Sequence, residues 1–491
     1  MRFLFCCESY YPNRGGVQEV MQQLAERMAK AGHDVTVATS RNLDREFETL
    51  NGVRIREFTV AGKLAYAMTG DVDRYREFVV EFAADAILIM AAQQWSFDAL
   101  WPVLDQIGSR KVFIPCGFSC LYEPAFAEYF KQLPAVLRKF DHLIFNAEHY
   151  RDIDFVRALG MENFSVLPNG VSELDFDTKP VPGFRNRLGI SDRDFVFLTV
   201  GNPVNMKGHR EVAEAFARLD TMGRSATLIL IARWPQAEPK QPKLKLGQDD
   251  MKRSSPLSRS LLILRQRGPR EFMERALQRI LGISGAHVIW QRTKRTAYLA
   301  GRSVQVVRAE GWDGFRTWLT SALKRRREPI AYWVNCANQQ PGKRVLCQDL
   351  TRSDLVQAYM AADLFVFASI VEYSPLVLFE AGAAGTPFLS VPVGNAEEIA
   401  RWTGGGIICS AARDDRGYIR ADPKVLAGEM QRCMCDPDML FRLGAIAKHR
   451  WQQQFTWRAV AALYEGILSG RTSDVAPDGC AGSRHKKAQA R

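Results

Sequence analysis

Residues 2–16 read RFLFCCESYYPNRGG, a short apolar run, a polar loop and a Gly-Gly pair. Beyond the glycines, Val17, Val20, Met21, Leu24 and Met28 recur at helical spacing, and HDVTVATS at 33–40 reads as a second strand. A strand, a helix and a strand in that order imply a right-handed crossover and a parallel sheet. Runs at 85–90 (DAILIM), 111–115 (KVFIP), 142–146 (HLIFN) and 164–168 (FSVLP) alternate with helical segments. The first domain is therefore expected to be a doubly wound α/β sheet over residues 1–175.

A stretch rich in Asp, Pro and Gly then marks a linker at 176–192. A second doubly wound sheet is expected over 193–450, from the strands DFVFLTVGN (194–202), ATLILIA (226–232), RVLC (344–347), DLFVFAS (363–369) and PFLSVPV (387–393) with helices between them. Asn395 and Glu398 have the spacing of a capping box at the start of one of those helices. A closing helix is expected over 451–470, and 471–491 is a polar tail expected to be disordered. Two such sheets leave a cleft at the carboxyl ends of their strands, where ligands of open α/β sheets bind.

One helix would join 232 to 344, yet about 100 residues intervene, which marks an insertion at about 236–330. It shows helical patterns at Leu257, Leu261 and Leu264, at Phe272, Ala276, Leu277 and Ile280, and at Trp312, Phe315, Leu319 and Ala322, ending in KRRR at 324–327. It carries about 21 Lys+Arg against about 8 Asp+Glu, roughly the whole net charge of +12 of the 491-residue chain. The remainder is near neutral, which argues against nucleic acid as a partner of the whole protein. Basic helices with an aromatic face fit either a merely solvated helical surface or an anionic membrane surface, reached through about 240–326.

No apolar run approaches the length of a membrane span, and MRFLFCCESYYP lacks a signal-peptide pattern. The ten cysteines show no repeated C-x-x-C spacing and lie mostly in apolar context, as expected of reduced thiols in a cytoplasmic protein.

The chemistry concentrates at residues 372–388, EYSPLVLFEAGAAGTPF. Ser374 and Pro375 suit the N-cap and first position of a helix, so Glu372 precedes the helix and Glu380 follows its first turn. A helix N-terminus favours anions, and two carboxylates beside it either suit a ligand that also carries hydroxyls or serve only as capping and salt-bridging groups. Lys207 in VGNPVNMKGH ends a strand and can neutralise a diphosphate, whereas a lysine is most often a solvated surface group. Gly15 and Gly16 open the first helix at the cleft and let backbone approach a ligand, or form a plain tight turn.

ESYYPNRGGVQEV, LPNGV (167–171), VGNPVNMKGH, AADLFVFAS and the two glutamates eight positions apart together resemble the retaining, nucleotide-sugar-dependent glycosyltransferases of family four, which have the two-domain GT-B fold. The resemblance covers nearly the whole chain outside the insertion and tail. It implies that Glu372 lies against the donor sugar, that Glu380 holds the ribose hydroxyls, and that Lys207 and the amides of Leu376 and Val377 bind the diphosphate. It implies no metal or other cofactor, the positive charge coming from protein groups. The partners would be a nucleotide-sugar donor and a saccharide or lipid-linked acceptor, in the synthesis of a cell-surface polysaccharide or glycolipid.

The chain departs from the family pattern at three places. Tyr373, Ser374 and Pro375 stand where the family usually has Gly-Phe-Gly, and proline has no amide to offer, which leaves the Ser374 hydroxyl as a substitute. Asn202 stands where an arginine usually precedes the lysine, so Arg14 or Arg233 would have to supply that charge. The acceptor-side histidine of many members is absent from IPCGFSCLYEP at 114–124. Two other readings stay open: a GT-B sugar-nucleotide epimerase, and a catalytically silent protein that binds a sugar nucleotide or a membrane surface.

Overall fold

The computed structural model describes residues 1–202, 204–232 and 329–471. The insertion and its helical patterns, Arg233, Pro203 and the tail beyond 471 lie outside the described residues. Ten strands occupy the first part of the chain: β1 Arg2–Cys6, β2 Asp34–Ser40, β3 Thr49–Leu50, β4 Val53–Phe58, β5 Val60–Lys63, β6 Ala67–Gly70, β7 Ala86–Met90, β8 Arg110–Ile114, β9 His142–Phe145 and β10 Phe164–Val166. Eight of them form one sheet in the order β10-β9-β8-β7-β1-β2-β4-β3, parallel except for the antiparallel β3–β4 pair.

The central strands are apolar throughout because both faces are covered. In β1, Phe3 and Phe5 enter one core with Leu24 and Met28 of the helix Gly16–Lys30, while Leu4 and Cys6 enter another with Tyr75, Trp95 and Phe113. The expected strands are all present, shifted by up to three residues at their ends. β4 and the β5–β6 hairpin were not anticipated: VRIREF alternates along an edge of the sheet, and the hairpin stands apart from it.

The second sheet comprises β11 Phe195–Val200, β12 Ala226–Ile231, β13 Lys343–Gln348, β14 Leu364–Phe367, β15 Phe388–Ser390 and β16 Gly406–Ile408, all parallel, in the order β13-β12-β11-β14-β15-β16. Each sheet reverses its strand order once, between β1 and β7 and between β11 and β14. Those are the switch points where loops diverge and leave a crevice.

The polar stretch expected as a linker packs against the second lobe. Phe176, Phe184 and Ile190 enter its core, Arg185 pairs with Asp363 at 2.9 Å, and Val181 donates its N–H to Gln357 at 2.7 Å. The closing helix, Trp457–Leu468, returns to the first lobe, where Trp457, Val460 and Tyr464 pack with Phe3, Phe5 and Leu24.

Two expected caps are corrected by the structure. The helix after Glu372 runs Leu376–Ala384 with Pro375 at its N-cap, one residue later than expected, so Ser374 does not cap it. Proline is confined to its φ, but here ψ is 112°, outside the helical range. Asn395 does precede the helix Ala396–Thr403, yet makes no side-chain cap. Its amide instead donates to the Asn146 carbonyl of the first lobe, and Glu398 accepts the N–H groups of Glu148 and His149 at 2.7 and 2.9 Å. Contacts between the lobes have taken both side chains.

Candidate functional site

The loops after β11 and β14 flank the second sheet's switch point and are tied together. The Ser369 hydroxyl oxygen lies 3.0 Å from the Met206 carbonyl oxygen, which accepts the Ile370 N–H at 2.8 Å. Gly208 has φ +70°, and a Cβ there would stand 1.8 Å from the Ala368 carbonyl oxygen. Only glycine allows both the left-handed conformation and the close passage of the loops. Lys207, just before it, is thereby directed at the other loop.

Lys207 Nζ lies 2.6 Å from Glu372 Oε1, and the same oxygen accepts the Ser369 hydroxyl at 2.7 Å. The Glu372 side chain is 14% exposed and that of Lys207 29%, so the pair meets solvent from one side. Leu376 and Val377 supply the first amides of the helix Leu376–Ala384, which have no carbonyl one turn earlier to accept them. Leu376 packs against the first lobe's core and Val377 against the second's, which places this N-terminus where the lobes meet.

Glu380, one turn further on, accepts Arg352 Nη1 at 2.6 Å and the Tyr359 hydroxyl at 3.1 Å. Arg352 also pairs with Asp175 at 3.0 Å, and these carboxylates hold its guanidinium charge against the cost of burial. Glu19, in the first turn of the helix Gly16–Lys30, lies within electrostatic reach of this group; burial raises its carboxyl above the ordinary range, and Glu380 and Asp175 add to the rise. The helix start at Gly15 and Gly16 therefore approaches the Glu380 cluster. A Cβ on Gly16 would meet nothing within 4 Å, so the protein's own packing does not require glycine there.

Residues of the first lobe that the sequence did not single out hold the loop 372–374. The Tyr150 hydroxyl donates to the Glu372 carbonyl at 2.7 Å, Asn146 donates its N–H to the Tyr373 hydroxyl at 2.9 Å, and Asn169 Nδ2 donates to the Ser374 hydroxyl at 3.0 Å. Buried Asp152 accepts the Gly117 N–H at 2.7 Å and the Tyr373 hydroxyl; desolvation pushes its carboxyl up to about 6, the hydrogen bonds pulling against that rise. Asn146, Gly117 and Asn169 stood in stretches already quoted, HLIFN, IPCGFSCLYEP and LPNGV, but without a role, and Tyr150 and Asp152 stood in none.

Asn202 is exposed in the loop beyond β11, where its carbonyl accepts the Val204 N–H at 2.7 Å. Arg14 is exposed and forms no ion pair among the described residues. The structure thus joins Lys207, Glu372, Ser374, Leu376, Val377 and Glu380 in one region, brings Gly15 and Gly16 alongside, and leaves Asn202 and Arg14 at its margin. His209, after Gly208, turns Nε2 to the Gly201 carbonyl at 3.2 Å; burial lowers its pKa, and the Lys207 charge lowers it further.

The cysteines among the described residues are free thiols, and no helix among these residues is long and apolar enough to cross a membrane.

Comparison with known proteins agrees with this architecture. A glycosyl transferase 4-like domain model matches residues 15–170 and a glycosyl transferases group 1 model matches residues 279–435, together more than half of the chain. Over 112 residues the chain is 35% identical to D-inositol 3-phosphate glycosyltransferase of Streptomyces bingchenggensis, a match that covers 23% of this chain and only 22% of that relative's length. Sucrose-phosphate synthase of Thermosynechococcus elongatus superposes with a TM-score of 0.60 at 18% identity, over 96% of this chain and 99% of that one. HepE of Anabaena, solved in complex with UDP and glucose, gives 0.57 at 15% identity over 96% and 100%. With two Rossmann-like sheets and both family models matched in order, the chain belongs to the group 1 glycosyltransferases of the GT-B fold.

Proposed function

We propose that the protein transfers a sugar from a nucleoside diphosphate to an acceptor hydroxyl with retention at the anomeric carbon. The observation that carries this reading is the meeting of Lys207 and Glu372, at 2.6 Å, beside the first amides of the helix at Leu376 and Val377, which the helix's own bonding does not use. A cation and a helix N-terminus stabilise the charge that grows on a departing diphosphate, and a carboxylate beside them accepts sugar hydroxyls and faces the positive charge that develops at the anomeric carbon. The bond from the anomeric carbon to the phosphate oxygen breaks, a bond to the acceptor oxygen forms on the same face, and the acceptor proton passes to the departing phosphate. Glu380, steadied by Arg352 and Tyr359, keeps lone pairs for ribose hydroxyls. These groups perform the charge stabilisation without a metal. The HepE structures with UDP and with UDP-glucose support a nucleotide-sugar donor.

The acceptor, on this reading, is a saccharide or a lipid-linked saccharide of a cell-surface polymer or glycolipid. The basic sequence at about 240–326 draws the protein to an anionic membrane surface where such an acceptor resides. Salt-sensitive cosedimentation with anionic vesicles, lost on deletion of 240–326, is the expected result; unchanged sedimentation of the deleted protein overturns the membrane role.

The test of the activity is a panel of UDP-, GDP-, ADP- and dTDP-sugars, assayed first by thermal shift and then by turnover, with the product's anomeric configuration read by NMR. Transfer with retention is expected. Binding without turnover overturns the transferase reading, and an inverted product overturns the stereochemistry.

A further inference from the structure

We propose that Tyr373 is a positioning residue for the donor carboxylate, through which the first lobe sets the placement of Glu372; this rests on the donor role of Glu372 proposed above. Glu372 is held by two different lobes. Its side chain is fixed from the second lobe by Lys207 and Ser369, and its main chain from the first, where the Tyr150 hydroxyl donates to its carbonyl at 2.7 Å. The next residue is tied more firmly. The Tyr373 hydroxyl accepts the Asn146 N–H at 2.9 Å and donates to Asp152, while its carbonyl accepts the Asn395 N–H at 3.0 Å.

The first lobe has a seat shaped for this ring. The Tyr150 and Tyr373 rings lie 5.0 Å apart, and Gly117 sits against both with φ +87°. A Cβ on Gly117 would stand 2.9 Å from Tyr150 Cε1 and 3.0 Å from Tyr373 Cδ2, so a side chain there would push the rings away. Asp152, beneath them, is fixed by the N–H groups of Gly117 and Ile153 at 2.7 and 2.9 Å. A tyrosine directly after the donor glutamate thus plugs into a preformed polar socket in the opposite lobe. The Tyr150 and Tyr373 contacts together anchor the main chain of Glu372 to the first lobe. The carboxylate is then in register with the donor sugar only while the socket is filled.

The experiment uses Tyr373→Phe and Tyr150→Phe, singly and together, in the full-length protein. Phenylalanine keeps each ring in its seat and removes the hydroxyl. The probes are the sugar nucleotide turned over fastest by the wild type in the panel and its bare nucleoside diphosphate. Each single variant is expected to bind the bare diphosphate as the wild type does and to lose kcat by about tenfold or more, because small misplacements of a reacting group are costly; the Asn146 N–H left without its acceptor lowers the melting temperature of Tyr373→Phe. The double variant is expected to lose little more than the worse single one, since both hydroxyls act on one loop. Unchanged kcat in both single variants overturns the proposal, as does a joint fall of kcat, diphosphate affinity and melting temperature. A wild type that turns over no sugar nucleotide overturns the transferase reading and this proposal with it, whereas active wild type with equally active variants overturns this proposal alone.

Discussion

Lys207 Nζ and Glu372 Oε1 stand 2.6 Å apart although 165 residues separate them in the chain, and each offsets the other's charge. Ammonium groups have three donors, so Lys207 can turn part of its bonding to a phosphate oxygen without abandoning Glu372. Lys207→Met keeps much of the stem and removes the charge. Bare nucleoside diphosphate is expected to bind more weakly by about 1–3 kcal/mol, the range for hydrogen bonds to charged groups. Lys207→Arg retains the charge and should recover part of the loss. Calorimetric titration decides it: equal affinity of the Met variant and wild type would remove Lys207 from the diphosphate site.

Gly208 offers a test of how the lysine is placed. Gly208→Ala meets a left-handed penalty of about 1–2 kcal/mol and, in addition, a Cβ contact of 1.8 Å with the Ala368 carbonyl oxygen. Gly223 has φ +76° with nothing within 4 Å of its Cβ position, so Gly223→Ala incurs the conformational penalty alone. The melting temperature should fall further in Gly208→Ala than in Gly223→Ala, and only the former should lose diphosphate affinity. Equal losses would mean that the passage of the two loops does not set Lys207.

Much of the architecture was legible because strands buried on both faces appear as short apolar runs, as AILIM of β7 and FVFLTV of β11 do. β4, with its alternating VRIREF, and the VAGK hairpin strand lack that signature and were passed over. Glu372, Glu380 and Lys207 could be picked out because a strand end, a helix start and a glycine mark their neighbourhoods. Their partners could not. Arg352 reaches Glu380 across 28 residues and Tyr150 reaches Glu372 across 222, and contacts of that kind leave no period in the sequence. Ser374 and Asn395 illustrate the converse. Each has the right chemistry for a local cap, yet the facing lobe took both side chains, Ser374 by Asn169 and Asn395 by Asn146.

His142 begins β9 and is bonded to the Ser165 hydroxyl at 2.9 Å; burial, with Arg110 adding, pushes its pKa down to about 4 from an ordinary 6.5. Between those values the unfolded chain takes up a proton that the folded one refuses, so acidification from pH 6.5 to 4 favours unfolding. Asp98, buried and bonded by Tyr129 and the Leu64 N–H, works in the opposite direction: burial pushes its carboxyl up to about 6, and the folded state gains a proton before the unfolded one does. His142→Gln removes only the first effect. The stability of wild type relative to this variant should be constant above pH 6.5 and fall as pH drops towards 4, measured by melting temperature. A difference independent of pH would show that His142 titrates normally.

Glu372 and Glu380 lie eight residues apart but have different companions, and the function proposed above gives them different work. Glu380 sits beside Arg352 and Tyr359, one turn into the helix; Glu372 sits before the helix, against Lys207 and Ser369. If Glu380 accepts ribose hydroxyls, Glu380→Gln should weaken binding of every nucleotide, with or without a sugar, by about 1–3 kcal/mol, because a neutral amide replaces a charged acceptor. Glu372→Gln should leave the affinity for the bare nucleoside diphosphate almost unchanged, its loss appearing in kcat and in binding of the intact donor, since the missing interaction belongs to the sugar and to the charge that develops on it. Arg352→Met should mimic Glu380→Gln, because it frees the carboxylate to turn away from its position. Were both glutamates merely structural, both substitutions would lower the melting temperature and impair all binding together. Calorimetry with the diphosphate and the intact sugar nucleotide, with melting curves as control, separates these outcomes, and equal weakening of bare-diphosphate binding by the two glutamine variants would remove the division of labour.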